Sequence, residues 1–165
     1  ELADLREQVR GCLREVRKII CDLRPMSLDD LGLVATLKGL CQSCREQSGI
    51  EAQLRVIGKE VSMDAYRETA VFRIVQEALH NVEKHAKAKQ VQVVMEYRPK
   101  TLQVLIQDDG IGFSLDEKIS DECFGLLGMR ERANILKGDL RVQSEPGAGT
   151  QLFLKIPLEE TDELE

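Results

Sequence analysis

Between Val71 and Ala86 the sequence writes two faces onto one helix. Val71, Ile74, Val75, Ala78, Leu79 and Val82 recur three and four residues apart, the spacing of an apolar helical stripe. Take about 100° per residue and place Glu77 at zero. Asn81 and Lys84 then fall within roughly 40° of it, and Arg73 lies about 40° to the other side. His85 sits at the border of this face. The apolar stripe has to be covered by other elements, while a carboxylate, a carboxamide and a cation gather on the opposite face. An ordinary solvated face has the same composition, so the residues that follow must decide between the two readings.

Upstream, Leu2, Leu5, Val9, Cys12, Val16, Ile19 and Leu23 alternate three and four apart. That is a heptad seam, too narrow for a helix lying on its own domain and suited to a bundle of helices in an oligomer. Pro25 ends this helix, because the residue before a proline is pushed out of the α region. Ser27 is expected to cap the next helix, with Asp29 and Asp30 in its first turn. Leu28, Leu31, Leu33, Val34, Leu37 and Leu40 give that helix its apolar side, and it ends near Gly49. Residues 51–57 alternate as a strand, with Ala52, Leu54 and Val56 on one side. Asp64 starts the helix that carries the two faces, and Lys87-Ala88-Lys89 leaves it. Two strands follow, 91–97 and 102–107, joined by a hairpin loop at 98–101. Residues 114–123 read as a mobile polar loop. A helix is expected from Gly125 to about Lys137 with Gly138 as its C-cap, then strands 140–144 and 151–156. The order β-α-β-β-(loop)-α-β-β predicts an α+β fold: a two-layer sandwich with a mixed, mostly antiparallel sheet and helices on one face, preceded by a coiled-coil or bundle helix.

The formal charge of −6 argues against generic nucleic-acid binding, which needs a basic surface. It also means that an anionic ligand requires a cation or a local cluster of donors. No run of 18 apolar residues is present, so no membrane-spanning helix is expected, and no signal-peptide pattern is seen. The chain opens at Glu1 inside a helical pattern, and we expect it to be a piece of a longer protein. Five cysteines, Cys12, Cys21, Cys41, Cys44 and Cys123, are an odd set without a disulfide framework. They read as small apolar residues in a reducing cytoplasm. Cys41-x-x-Cys44 lacks the second ligand pair that a zinc site needs.

Three glycine segments follow the two-faced helix. In Asp108-x-Gly110-x-Gly112 an aspartate ends a strand, where it can accept from an exocyclic amine, and glycines allow close backbone approach. In Gly125-Leu126-Leu127-Gly128-x-Arg130-x-Arg132 a glycine turn opens a helix whose free N–H groups suit an anion. Gly147-x-Gly149-Thr150 is a tight turn with a hydroxyl. Each alone is weak; their order after the Glu–Asn helix is not.

With these residues in view the chain resembles the GHKL ATPase superfamily, the fold shared by gyrase, the heat-shock-90 chaperone, sensor histidine kinases and MutL. Glu77, Asn81, Lys84 and His85 match its N box. Asp108, Gly110 and Gly112 match the G1 box, Gly125 and Gly128 the G2 box, and Gly147-Ala-Gly-Thr150 the closing turn. Leu23-Arg24-Pro25-x-x-Leu28-x-x-Leu31-Gly32-Leu33, taken with the N box, is similar to the histidine-kinase subfamily of nitrate-sensor and desaturase-thermosensor type. The resemblance implies ATP and Mg²⁺ as ligands. Asn81 would hold the metal, Glu77 would stand at the general-base position, and Lys84, His85 or Arg130 would offset phosphate charge. Asp108 would hold the adenine amine, residues 112–125 would form a lid beside Leu126, and Thr150 would contact the lid or phosphate.

It further implies four segments. Residues 1–24 form the second helix of a dimerisation bundle, 25–49 a linker and the first catalytic-domain helix, 50–157 the ATP-binding domain, and 158–165 an acidic tail. The implied partners are a second copy through the bundle and a response regulator with helix-turn-helix output, with no nucleic acid and no membrane contact by this segment. The phosphoacceptor histidine would lie on the preceding bundle helix, so neither His80 nor His85 is expected to serve. An alternative is a nucleotide-gated binding module of the anti-sigma-factor kinase type, which the Leu-Arg-Pro heptad segment disfavours.

Overall fold

A computed structural model describes residues 25–114 and 124–158. The heptad segment, nearly all of the 114–123 loop and most of the acidic tail lie outside the described residues, as do Cys12, Cys21 and Cys123. In chain order the elements are α1 (Met26–Ser48), β1 (Glu51–Ile57), α2 (Ala65–Asn81) and a π-turn (Val82–Ala86). They continue with β2 (Gln90–Tyr97), β3 (Thr101–Asp108), α3 (Phe124–Ile135), β4 (Asp139–Ser144) and β5 (Thr150–Pro157).

The five strands form one sheet in the order β1-β2-β3-β5-β4. β1 runs parallel to β2, as a strand–helix–strand crossover requires, and the other three pairings are antiparallel. The mixed, mostly antiparallel sheet expected from the sequence is therefore present. Strand alternation puts Val91, Val93 and Met95 of β2, Leu102, Val104 and Ile106 of β3, and Leu152, Leu154 and Ile156 of β5 on one buried face. The helices cover that face and share its core through Leu37, Val71, Ile74, Val75 and Met129. The other face is mixed: Val94, Leu105 and Phe153 form a half-buried apolar row across β2, β3 and β5, next to a polar one. Gln53, Gln92, Gln107, Gln151 and Gln143 stand in one register row across all five strands.

Two helix starts differ in outcome. Asp64 caps α2 as expected, its carboxylate accepting the Arg67 N–H at 2.9 Å. Ser27 does not cap α1. Pro25 occupies the N-cap position in extended conformation, and Ser27 lies inside the first turn. The helix then breaks at Gly32 (φ 78°, ψ 174°), a conformation open to glycine. This break resets the helical phase. Leu28, Leu33 and Leu37 reach the core, whereas Leu31, expected with them, is 65% exposed. The buried Thr36 hydroxyl sits across the break, 2.9 Å from the Ser27 carbonyl and 2.8 Å from that of Gly32. Gly49 ends α1 in the left-handed region, its N–H returning to the Arg45 carbonyl.

Cys41 and Cys44 are buried free thiols on α1, in keeping with their reading as apolar residues. Among the described residues no helix is long and apolar enough to cross a membrane.

Candidate functional site

The C-terminal end of α2 lies over the ends of β3 and β5, and a cavity of about 280 Å³ opens between them. Its polar lining comes from Asn81, His85, Asp108 and Thr150. Its apolar lining includes Ile106, Leu126, Met129 and Leu152. The spacing of strands explains the floor: Asp108 and Thr150 are cross-strand partners at the ends of β3 and β5. Both therefore project on the core side of the sheet, where the core gives out into the cavity.

The helix end is not the regular one that a 100° wheel assumes. Residues Val82–Ala86 form a π-turn, whose i→i+5 bonding advances each residue by less than an α-turn does. The slower advance brings His85 into line below Asn81 and rotates Lys84 off the face. His85 accordingly lines the cavity and Lys84 does not, reversing the order that the regular wheel gives.

Glu77 stands just outside the lining. Its carboxylate lies against Gly125 at the start of α3: a Cβ on Gly125 would collide with Glu77 Oε1 and come 3.5 Å from Asn81 Nδ2. Glycine here lets the α3 backbone close over the Glu77–Asn81 pair. Gly125 and Gly128 belong to α3 itself, which begins at Phe124, one residue before the helix start expected at Gly125. Arg130 and Lys84 are exposed, and neither they nor Gly128 line the cavity.

Asp108 is the most enclosed acid among the described residues, 6% exposed. Burial raises its carboxyl above the usual carboxylate value, while the N–H groups of Gly110 and Thr150 oppose that shift. Gly110 donates to Asp108 Oδ1 at 2.8 Å, which is the place of Gly110 in the site: behind the acid, not on the wall. Gly112 lines the cavity with φ 59°, and a Cβ there would collide with the Glu145 carbonyl oxygen.

Sequence reasoning missed two residues. Asp109 accepts from the N–H of Lys89 (2.8 Å) and of Gln90 (2.9 Å), and the Ile111 N–H donates to the Ala86 carbonyl at 2.8 Å. Together these tie the glycine loop to the end of the π-turn. Ser144, at the end of β4, bonds Phe113 and Gly149. An aspartate beside a strand end was a faint signal for the first; nothing in the local sequence marks the second.

The donor set suits a hard divalent cation. Glu77 and Asn81 offer one carboxylate and one carboxamide side by side. Among the described residues no three His, Cys, Asp or Glu converge. A cation here would take its remaining ligands from water and phosphate oxygens, which is the habit of Mg²⁺.

Residues 66–160 match the family model described as "Histidine kinase-, DNA gyrase B-, and HSP90-like ATPase". The chain belongs to this ATPase family. Within the family it is similar to "Signal transduction histidine-protein kinase/phosphatase DegS" of Brevibacillus brevis, at 46% identity over 158 residues, covering 96% of this chain and 41% of that protein. To the Bacillus subtilis protein of the same name it is 39% identical, covering 96% of this chain and 42% of the relative. To "Sensor histidine kinase MctS" of Rhizobium johnstonii it is 36% identical, covering 92% and 33% respectively. The chain thus spans 42% or less of the length of these relatives. The ATPase fold also aligns with Acinetobacter baumannii histidine kinase AdeS, at TM-score 0.66 and 16% identity, covering 96% of this chain and 84% of that one. It aligns with the histidine kinase domain of the Erythrobacter litoralis EL346 blue-light activated kinase at TM-score 0.61 and 23% identity, covering 76% and 61%. At such identities the likeness is one of fold.

Proposed function

We propose that this chain is the ATP-binding catalytic part of a dimeric sensor histidine kinase. It would transfer the ATP γ-phosphoryl group to a histidine on a bundle helix outside this sequence, for relay to an aspartate of a response regulator with helix-turn-helix output. Residues 1–24 would contribute to the bundle, 25–49 link it to the nucleotide domain, 50–157 bind ATP and 158–165 form a tail. The observation that carries the reading is the convergence of Asn81, His85, Asp108 and Thr150 on one cavity, with Glu77 beside Asn81. The similarity to proteins named histidine kinases adds the acceptor class.

Phosphoryl transfer asks mainly for positioning and charge neutralisation. Asp108 would accept the adenine amine. Asn81 would hold Mg²⁺, which when bound offsets phosphate charge. His85 would offer a ring N–H to the phosphates, and Lys84 or Arg130, from outside the cavity, would offset their charge. The acceptor's ring nitrogen bonds the γ-phosphorus as the bond to the β,γ-bridging oxygen breaks and ADP leaves. Glu77 stands where it can take a proton or hold a water.

Titration with ATP and Mg²⁺ tests the site: Asn81→Ala and Asp108→Ala should each weaken binding at least tenfold, and unchanged binding in both would sink the assignment. Mixing this chain with a longer, histidine-bearing protein whose own ATP site is dead should label that protein. Labelled phosphate on His80 or His85 would overturn the account.

A further inference from the structure

The Ser144 side chain joins the two loops at the cavity's polar end. Its Oγ accepts the Phe113 N–H at 2.9 Å, lies 3.0 Å from the Gly149 carbonyl oxygen and 3.0 Å from Thr150 Oγ1. The residues it joins are 31 and 5–6 positions away, and Ser144 itself is not on the cavity wall.

Proton counting fixes the direction of these bonds. A serine hydroxyl has one proton and two lone pairs. The Gly149 carbonyl can only accept, so it takes the Ser144 proton. The Phe113 N–H can only donate. The Ser144–Thr150 bond then forms only if Thr150 gives its proton to Ser144. This is the sole assignment that makes all three bonds. It leaves Thr150 Oγ1 with lone pairs and no free proton, next to its cross-strand partner Asp108. Asp108 is an acceptor as well, with Oδ1 already engaged by the Gly110 N–H. The polar floor therefore offers acceptors to whatever enters.

We infer that Ser144 is a specificity-positioning residue: by taking the Thr150 proton it makes the floor beside Asp108 demand a donor. The ligand so selected is a purine triphosphate with an exocyclic 6-amino group, over one with a 6-oxo group at the same place. A 6-amino group carries two protons for the two acceptors, whereas a 6-oxo purine sets a carbonyl there and has only its N1–H to offer; a buried acceptor left facing a carbonyl is penalised. The inference rests on the ATP reading above and names what sets its base preference.

The test compares binding of ATP and inosine triphosphate, both with Mg²⁺, which differ in the purine 6-substituent and in the proton on the adjoining N1. Wild type should prefer ATP. In Ser144→Ala the Thr150 hydroxyl is free to turn and donate, and the preference should fall about tenfold, on the order of one net hydrogen bond. Ser144→Thr keeps the hydroxyl and should keep the preference. Thr150→Val should lower it too, and adding Ser144→Ala to that variant should lower it no further. The ratio of affinities is the readout, so a general weakening of binding leaves the test intact. Should Ser144→Ala fail to fold, the Ser144→Thr and Thr150→Val arms still decide. An unchanged ratio in Ser144→Ala, or an unchanged ratio in Thr150→Val, overturns the inference. Wild type that binds neither nucleotide overturns the ATP reading itself.

Discussion

Asp108 and Asp109 are neighbours in the chain with opposite electrostatics. Burial raises the Asp108 carboxyl, so its charge works against folding at neutral pH. That penalty fades as pH falls through the folded value toward the ordinary 3.8, where the protonated form is favoured. Asp108→Asn should therefore melt higher than wild type near pH 7.5, and calorimetry should show the gap closing toward about pH 4. The same variant should lose ATP binding, because an amide N–H₂ meets the adenine amine donor to donor. Backbone N–H groups of Gln90 and Lys89 hold the Asp109 carboxyl below its ordinary value. Its stabilisation is present above that ordinary value and is lost as pH falls through the folded one. Asp109→Ala should thus melt lower than wild type at pH 7, with the difference vanishing in acid. Cys41 shows the third effect of environment. Burial pushes its thiol up to about 11, leaving roughly a thousandth as thiolate at pH 8. Mass spectrometry after alkylation should find Cys41 unmodified in the folded protein and modified in denaturant; ready labelling in the fold would contradict its place in the core.

Elements show where local rules were overridden. The cap of α3 was expected at Gly138. The structure instead puts Lys137 in the left-handed region (φ 53°), while the Gly138 N–H returns to the Ala133 carbonyl at 2.9 Å. Gly138 is required for another reason: a Cβ there would sit 2.7 Å from the Lys155 carbonyl oxygen and from Ile156 Cγ2. Lys137→Gly should relieve about 1 kcal/mol of backbone strain, raising Tm by roughly 2–4 °C. Gly138→Ala should lower Tm, since β5 blocks the new methyl group. At the end of α2 the π-turn decides that His85, and not Lys84, faces the cavity. Among exposed substitutions His85→Ala should weaken ATP binding more than Lys84→Ala, and the reverse order would restore the regular-helix reading.

At the scale of the molecule, the site exists because the α2 layer ends over the ends of β3 and β5. A ligand there bridges the two layers and two loops, so occupancy should stabilise the whole domain. At 100 times Kd, mass action gives about 2.7 kcal/mol. Mg²⁺–ATP should then raise Tm by roughly 5–10 °C at this chain length. Asn81→Ala should abolish the Mg²⁺-dependent part of that rise. A wild-type Tm indifferent to saturating Mg²⁺–ATP would count against the functional reading.

The element order, the strand at Glu51–Ile57, the Asp64 cap and the buried stripe of α2 were legible in the sequence. Each is written in contacts within a few residues: side-chain period, capping oxygen, glycine after a helix. The segments that meet at the site were legible as well, since each glycine and acid sits in a short motif. The tertiary structure alone decided three things. It placed β5 between β3 and β4, which makes Asp108 and Thr150 neighbours. It wound residues 82–86 as a π-turn, exchanging Lys84 for His85. It brought Ser144 to Phe113 across 31 residues. A hydrophobic period fixes which face of an element is buried. It does not fix which distant hydroxyl receives a given proton, and that is settled only when the layers close.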